Sequence, residues 1–269
     1  MCRLKPLISI VFMAMIIASC STSPTGRSQM IWKSDAELEA QSARAFNQMR
    51  AGMPLSTDRK KIDFVACVAQ AIVDVLEPPY NDIEWELAVF DSESVNAFAM
   101  PGGKIGVFTG ILEVTENQDQ LAAVIGHEIA HVTARHSNER ASRASITGAG
   151  INVAAIILGG GRSGSTYTAQ QALNAGADLG ISLPHTRGQE SEADIIGLDY
   201  MARAGFDPRE AVPLWQRMDD TTDKKPAEFV STHPASETRI EALVSEWPKT
   251  LPLYNEAIAE GRVNSCTKD

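Results

Sequence analysis

The chain is short of basic residues. Its 24 lysines and arginines are outnumbered by 34 aspartates and glutamates, which gives a net charge of −10. Removal of residues 1–19, for which the reasons follow, takes away Arg3 and Lys5 and no acidic residue, so the net charge becomes −12. An acidic surface repels phosphate groups, and we therefore expect direct binding neither to nucleic acid nor to anionic lipid headgroups.

Features of two common protein classes are also absent. The apolar runs Leu7–Ala18 and 145–158 are both too short to cross a bilayer, which takes about 20 residues. The glycine-rich stretch "GGGRSGS" lacks the Gly-Lys-Ser/Thr ending of a phosphate-binding loop. The sequence thus predicts neither a membrane-spanning helix nor a nucleotide site of that type.

The run Leu7–Ala18 has the length of a signal peptide. It ends in "IASC", which resembles the bacterial lipobox, so we expect residues 1–19 to be removed and Cys20 to be lipidated. An ordinary signal peptide with an incidental cysteine is the alternative. Attachment through several acyl chains is stable, and Ser21 after the cysteine favours the outer membrane. The predicted location is the periplasmic side of that membrane.

Beyond Cys20, the mature chain has only two cysteines, Cys67 and Cys266. In an oxidising periplasm they could form a disulfide that ties the C-terminal tail to an early helix. Cys67 lies in the apolar run "FVACVAQAIVDVL", so a buried free thiol is the competing interpretation.

The remaining pattern predicts one large α+β domain that is mostly helical. The Ser- and Thr-rich residues 20–33 indicate a flexible tether, residues 34–250 the domain and residues 251–269 a C-terminal tail. Short strands with a turn at Pro101–Gly103 predict a small sheet. We expect part of the segment 140–186 to form a lid.

The clearest chemical motif is "HEIAH", which contains two of only five histidines in the chain. His127 and His131 are four residues apart, so on a helix both imidazoles face the same way and can reach one metal ion. Glu128 lies beside His127 and can take a proton from a metal-bound water. His136 would lie about 140° further round a continuous helix than His131, so we expect it at the surface.

A third ligand must come from another element, and "RGQESEADIIGLDY" supplies the candidates. Glu190 and Asp194 are four residues apart on one helical face. Glu190 can bind the metal while Asp194 accepts the second ring N–H of a ligand histidine. Gly197, one turn further, would let the two helices approach closely, whereas Glu192 points away from that face. A solvated acidic helix surface is the alternative.

Four stretches of the chain resemble metallopeptidase family forty-eight, which includes bacterial periplasmic proteases, prenyl-protein proteases and a mitochondrial stress protease. They are "NAFAMPGGKIGVFTGIL", "AAVIGHEIAHVTARH", "RGQESEADIIGLDYMARAGFDPREAVPLW" and "STHPASETRI". The resemblance implies a gluzincin-type zincin fold whose edge strand borders the active-site cleft, and one Zn²⁺ per chain. It assigns His127, His131 and Glu190 as zinc ligands, Glu128 as general base and Asp194 as the partner of a ligand.

The same resemblance suggests roles for residues outside the ligand set. Asn96, Ala97 and Phe98 match the edge strand that pairs with an extended substrate; an ordinary structural strand is the alternative. His233 matches a histidine that caps the zinc in a latent state, and it could instead stabilise the oxyanion of the transition state. Arg239 is expected to assist with that charge.

The leading functional hypothesis is a zinc endopeptidase that hydrolyses misfolded or unassembled envelope proteins. The second is an assembly factor or chaperone in which catalysis is secondary. The third, a structural zinc lipoprotein, would need a closed four-ligand site and would leave Glu128 without a task. Nothing in the sequence predicts the oligomeric state.

Overall fold

A computed structural model describes residues 20–147, 185–220, 229, 233 and 237–268. The predicted signal peptide and most of the predicted lid lie outside these residues. Within the described part of the chain, no helix has the length and apolar character needed to cross a membrane.

The described residues are mostly helical, with two small sheets. The strands are β1 (Cys20–Thr22), β2 (Ser28–Met30), β3 (Glu86–Phe90), β4 (Ala97–Met100) and β5 (Lys104–Phe108). The helices are α1 (Asp35–Gly52), α2 (Arg59–Val73), α3 (Gln118–Thr133), α4 (His136–Thr147), α5 (Arg187–Arg203), α6 (Ala211–Asp220) and α7 (Glu237–Ala259). Short 3₁₀ turns at Thr109–Glu113 and Pro208–Glu210 precede α3 and α6. This is the predicted α+β class.

The larger sheet has the order β3-β5-β4, with β3 parallel and β4 antiparallel to the central strand β5. The turn predicted at Pro101–Gly103 connects β4 to β5. Gly102 and Gly103 have φ values of 78° and 70°, which glycine adopts without the strain that a side chain would cause. In the order β3-β5-β4, strand β4 pairs only with β5 and so lies at an edge of this sheet.

Strand β4 presents different residues on its two faces. The Phe98 ring lies among other phenylalanines on one face and covers Gly106 of β5, where a Cβ atom would come within 2.1 Å of the ring. Ala97 and Ala99 point to the opposite face and pack in the core that includes α3. Because these residues are small, the backbone of β4 can lie close to α3.

Helices α3 and α5 cross at two glycines. A Cβ atom on Gly126 would lie 3.0 Å from the carbonyl oxygen of Gly197, and one on Gly197 would lie 2.9 Å from the backbone nitrogen of His127. The two backbones therefore touch, as the sequence predicted for Gly197. The contact places the start of α5 beside the His127–His131 face of α3.

A disulfide joins Cys67 of α2 to Cys266 near the C-terminus, across 199 residues of sequence. Of the two interpretations left open by the sequence, the structure thus has the bridge. Asn264 also donates a hydrogen bond to the carbonyl of Ala204 at 2.6 Å. Helix α7 runs across residue 250, so the structure shows no separate tail beginning at residue 251.

The expectation of a flexible tether at residues 20–33 is wrong for this structure. Cys20–Thr22 and Ser28–Met30 form an antiparallel pair, which we call the amino-terminal hairpin. Gln29 is buried, and its amide donates to the carbonyl of Ala134 at 2.6 Å. Composition predicted flexibility because polar residues usually face water, but here they find partners on the domain.

The Gly126–Gly197 crossing generates a stability prediction. Gly197→Ala should lower the free energy of unfolding by about 1–3 kcal/mol, because the added methyl group overlaps backbone atoms that cannot move independently. Gly188→Ala is the matched control on the same helix, since a Cβ there meets nothing within 4 Å. Urea denaturation of both variants measures the difference; equal stability would contradict the contact.

Candidate metal centre

Two helices, each with a side-chain cap at its N-terminus, carry most of the site. Asn117 caps α3 by accepting a hydrogen bond from the backbone of Gln120 at 2.9 Å. Thr186 and Gln189 form a reciprocal capping box at the start of α5. Such caps satisfy amides that would otherwise lack partners, so both helices begin at fixed residues. Glu190 follows immediately in the first turn of α5.

Two imidazoles and a carboxylate converge where α3 and α5 cross. The Nε2 atoms of His127 and His131 are 3.0 Å apart. One oxygen of Glu190 lies 3.5 Å from His127 Nε2 and the other lies 3.5 Å from His131 Nε2. All three side chains are buried. The structure therefore brings together the three residues that the sequence singled out, in an arrangement that could hold a metal ion.

His233 approaches the same point from a separate part of the chain. Its Nδ1 atom lies 3.1 Å from His127 Nε2 and 3.1 Å from Glu190 Oε1. Donor atoms of His127, His131, Glu190 and His233 all lie within 4.8 Å of one another. His233 is thus placed as a possible fourth ligand.

His127 is held by a carboxylate that is itself held by an arginine. Its Nδ1 lies 3.0 Å from Asp194 Oδ1, and Arg239 donates to both carboxylate oxygens of Asp194. Arg239 also stacks on Trp215 at 3.6 Å from the ring centroid. Burial raises the pKa of Asp194, but the charge of Arg239 and the hydrogen bonds outweigh burial and bring that pKa below its ordinary value. Asp194 therefore stays ionised and fixes His127 with Nε2 towards Glu190.

The two histidines of the motif differ in their affinity for a proton. Burial opposes protonation of His127, but hydrogen bonds to Asp194 and Glu190 outweigh it and raise the pKa of His127 to about 9. Burial lowers the pKa of His131 well below its ordinary value. A metal ion must therefore displace a proton from His127, so its binding weakens as the pH falls.

His136 is not at the surface, contrary to the expectation from the sequence. It is fully buried, and its Nδ1 lies 2.7 Å from His131 Nδ1. The expectation assumed a continuous helix, but α3 ends at Thr133 and Arg135 has a φ of 57°. This left-handed residue redirects the chain and turns His136 back towards His131.

Glu192 is buried and is not among the residues whose donor atoms gather around His127 and Glu190. Its Oε2 atom lies 3.1 Å from His136 Nε2. Burial raises the pKa of Glu192, but hydrogen bonds from His136, Ser23, Thr25 and Arg27 together bring it well below its ordinary value.

Glu128 is buried beside the three possible ligands. Its Oε1 atom has no hydrogen-bond partner among the described residues and lies 3.3 Å from His233 Nε2. The carboxylate receives a hydrogen bond from the backbone amide of Ala99 in β4. Burial raises the pKa of Glu128, which makes its carboxylate a stronger base.

The predicted substrate strand lies beside Glu128 but is one residue later than expected. Strand β4 begins at Ala97, and Asn96 precedes it, with its carbonyl accepting from Phe108 N. At the start of this edge, the backbone nitrogen of Phe229 donates to the carbonyl of Val95 at 3.1 Å. A second segment of the chain thus already contacts the edge near its beginning.

All five histidines of the chain lie in this one cluster. His185 stacks near His131 and His233, with ring centroids 3.8 Å and 4.9 Å away. The sequence assigned no role to His185 and missed the burial of His136 against His131. Three of the five histidines lie within residues 127–136, and this clustering in a histidine-poor chain was the available signal for His136, whereas the sequence offered none for His185.

A family model described as Peptidase family M48 matches residues 60–247. The chain belongs to peptidase family M48. The match includes α3, β4, α5 and the ligand candidates on them, so the family resemblance and the geometry concern the same residues.

Relatives come from mitochondria and bacteria. Mitochondrial metalloendopeptidase OMA1 of Schizosaccharomyces pombe is 41% identical over 62% of the chain and 48% of its own length. The protein of the same name in Saccharomyces cerevisiae is 37% identical over 71% of the chain and 58% of its own length. The beta-barrel assembly-enhancing protease of Yersinia pestis is 31% identical over 72% of the chain and 40% of its own length. The chain therefore spans about half the length of these relatives.

The Asp194 contact generates a prediction about metal affinity. Asp194→Asn should weaken the binding of a divalent metal ion roughly 10–100-fold, because the amide cannot both hold the His127 ring and neutralise Arg239. Asp199→Asn is the control, since Asp199 pairs with Arg203 on the outer part of the same helix. Competition with a chelating dye measures both dissociation constants, and an unchanged value for Asp194→Asn would refute the assignment.

Proposed function

We propose that the protein is a zinc-dependent endopeptidase of the bacterial cell envelope. The observation that carries this proposal is the convergence of His127, His131 and Glu190 beside the buried, incompletely bonded carboxylate of Glu128. Membership of a peptidase family agrees with it. A purely structural site would leave the buried carboxylate of Glu128 without a function.

The donor set fits zinc. Zinc takes imidazole nitrogen and carboxylate oxygen at about 2.0–2.2 Å, so ligands at the corners of a tetrahedron lie roughly 3.3–3.6 Å apart. The separations among His127, His131 and Glu190 are 3.0 Å, 3.5 Å and 3.5 Å. We assign these three residues as the zinc ligands and Asp194 as the residue that orients His127.

Each step of the proposed hydrolysis is assigned to a particular group of the site. When bound, zinc supplies Lewis acidity towards the scissile carbonyl and the attacking water. Glu128 holds that water, takes its proton as general base and passes it to the leaving amine. Strand β4 binds the substrate through its backbone, and pairing of that kind carries little sequence preference. A broad preference suits unfolded substrates.

His233 makes the proposed resting state latent. Its Nδ1 lies 3.1 Å from both His127 Nε2 and Glu190 Oε1, so it would compete with water for a metal ion held by the three ligands. The backbone nitrogen of His233 donates to Phe229 O at 2.8 Å, so this bond joins the histidine to the residue that contacts Val95. Displacement of His233 and Phe229 together would free both the metal and the edge strand for water and substrate.

Arg239 is assigned an orienting role, not a direct one on the oxyanion. Its guanidinium group contacts Asp194 and lies 3.2 Å from Glu190 Oε2. These contacts hold the guanidinium group against the carboxylates of Asp194 and Glu190, so it is not free to bind the oxyanion. Once displaced from the fourth position, His233 is the better donor to the oxyanion.

The substrate class and location rest on the sequence and on relatives. The run Leu7–Ala18 and the lipobox-like "IASC" support removal of residues 1–19 and lipidation at Cys20 on the periplasmic side of the outer membrane. A relative named for enhancing beta-barrel assembly supports misfolded or unassembled envelope proteins as substrates. The disulfide agrees with an oxidising compartment.

The same relative's name favours a second candidate function, that of an assembly factor in which catalysis is secondary. The two functions differ in their need for Glu128. In cells that lack the native protein, Glu128→Gln should restore an assembly function and should fail to restore a proteolytic one.

Cleavage of unfolded casein by the full chain, with zinc content measured on every variant, tests the proposal. Glu128→Gln should retain about one zinc per chain and lose at least ~100-fold in rate, because the water loses its base. His233→Ala should cleave faster than wild type, since the fourth position opens. Glu116→Gln, an exposed glutamate paired with Arg217, is the control and should behave as wild type.

Two results would overturn parts of this proposal. Zinc bound without cleavage in any variant would replace the peptidase by the assembly factor. Unchanged or abolished cleavage in His233→Ala would exclude the latent state while leaving the peptidase intact.

A further inference from the structure

The amino-terminal hairpin places an arginine between two buried carboxylates. Arg27 donates to Glu139 through two nitrogens, at 2.9 Å and 2.7 Å, and its Nε donates to Glu192 Oε2 at 2.8 Å. Glu139 and Glu192 are buried on α4 and α5, and Thr25 of the hairpin also donates to Glu192. Buried carboxylates need such partners to remain charged.

Glu192 continues the chain of contacts towards the zinc ligands. Its Oε2 accepts from His136 Nε2 at 3.1 Å. With its proton on Nε2, neutral His136 has a lone pair on Nδ1, and this atom lies 2.7 Å from His131 Nδ1. His131 must then donate its Nδ1 proton, which leaves the lone pair of Nε2 free for the metal.

The two ligand histidines are therefore supported in parallel ways. His127 is held directly by Asp194, which Arg239 neutralises. His131 is held through His136 by Glu192, which Arg27 neutralises. In both, an arginine keeps a buried carboxylate charged and that carboxylate selects the tautomer that presents Nε2.

We propose that Arg27 is a positioning residue through which the amino-terminal hairpin orients the metal ligand His131, by way of Glu192 and His136. The inference rests on the proposed function, because it needs a metal at His131. It makes the segment directly after Cys20 part of the support of the site. Disturbance of the hairpin then changes metal affinity without touching a ligand.

A second metal ion between His131, His136 and His185 is the competing explanation of this cluster. Two observations favour the hydrogen-bonded chain. The separation of 2.7 Å between the Nδ1 atoms has the length of a hydrogen bond and is shorter than every separation among His127, His131 and Glu190. The guanidinium of Arg140 contacts the His185 ring and would repel a cation.

The test is a double-mutant cycle on the zinc dissociation constant of the full chain. Arg27→Gln should weaken zinc binding about tenfold, in line with the effect of other residues that orient ligands. His136→Asn retains an acceptor near His131 but is too short to reach Glu192, so it separates the two halves of the chain of contacts. Arg27→Gln should have no further effect in the His136→Asn background.

Arg143→Gln is the matched control. Arg143 donates to Glu139 at 2.7 Å, like Arg27, but belongs to α4. It should leave the dissociation constant unchanged. Arg27→Lys keeps the charge and loses the two-nitrogen fork, so a few-fold weakening is expected; this milder variant carries the test if Arg27→Gln does not fold. The visible absorption of the cobalt-substituted protein should shift in Arg27→Gln and not in Arg143→Gln.

Each result decides the matter. An unchanged dissociation constant in Arg27→Gln, or an equal loss in the His136→Asn background, would mean that Arg27 only stabilises the fold. Two zinc ions per wild-type chain would replace the proposal by the second metal site. A wild type that binds no zinc would overturn the proposed function and this inference together, whereas normal zinc binding with unaffected variants would overturn the inference alone.

Discussion

The backbone contact between α3 and α5 is the constraint on which the rest of the site depends. Gly126 and Gly197 let the helices meet without side chains between them. The contact fixes the first turn of α5 beside the His127–His131 face of α3, so that Glu190 reaches both His127 and His131. Asp194, one turn beyond Glu190, reaches His127 for the same reason.

Bringing the helices so close creates an electrostatic cost. Glu128, Glu190, Glu192 and Asp194 are all buried within a short distance of the crossing. Buried carboxylates are tolerated when cations or hydrogen-bond donors face them. The charge of Arg239 offsets those of Asp194 and Glu190, and the charge of Arg27 offsets that of Glu192. The proposed zinc ion would balance the remaining negative charge of the site. Glu128 is the least compensated of the four, as its raised pKa shows, and this suits the residue assigned to take up a proton.

Most residues of the metal centre could be predicted from the sequence, because the spacing of side chains along a helix is regular. Four-residue separations fixed the faces of His127, His131, Glu190 and Asp194, and Gly197 indicated a close crossing. The errors came where that regularity ends. His136 was misplaced because one left-handed residue, Arg135, breaks the helix, and no spacing rule anticipates such a break. Composition predicted a tether at residues 20–33, because the partners of their polar side chains lie more than 100 positions away and no local pattern indicates them.

The contacts of His233 differ in kind from those of the other possible ligands. His127, His131 and Glu190 lie within helices that pack in the core, whereas His233 is tied through its backbone nitrogen to the carbonyl of Phe229. Phe229 in turn stacks on His233 and Trp215, and its amide bonds to the carbonyl of Val95 beside the edge strand. An extended substrate that pairs along this edge competes with Phe229 for Val95. In the proposed latent enzyme, the edge strand that binds substrate and the histidine that blocks the zinc are therefore linked through Phe229, and the free energy of strand pairing is available to displace His233. Such an arrangement responds to the backbone of a substrate and hardly to its side chains, as selection of unfolded chains requires.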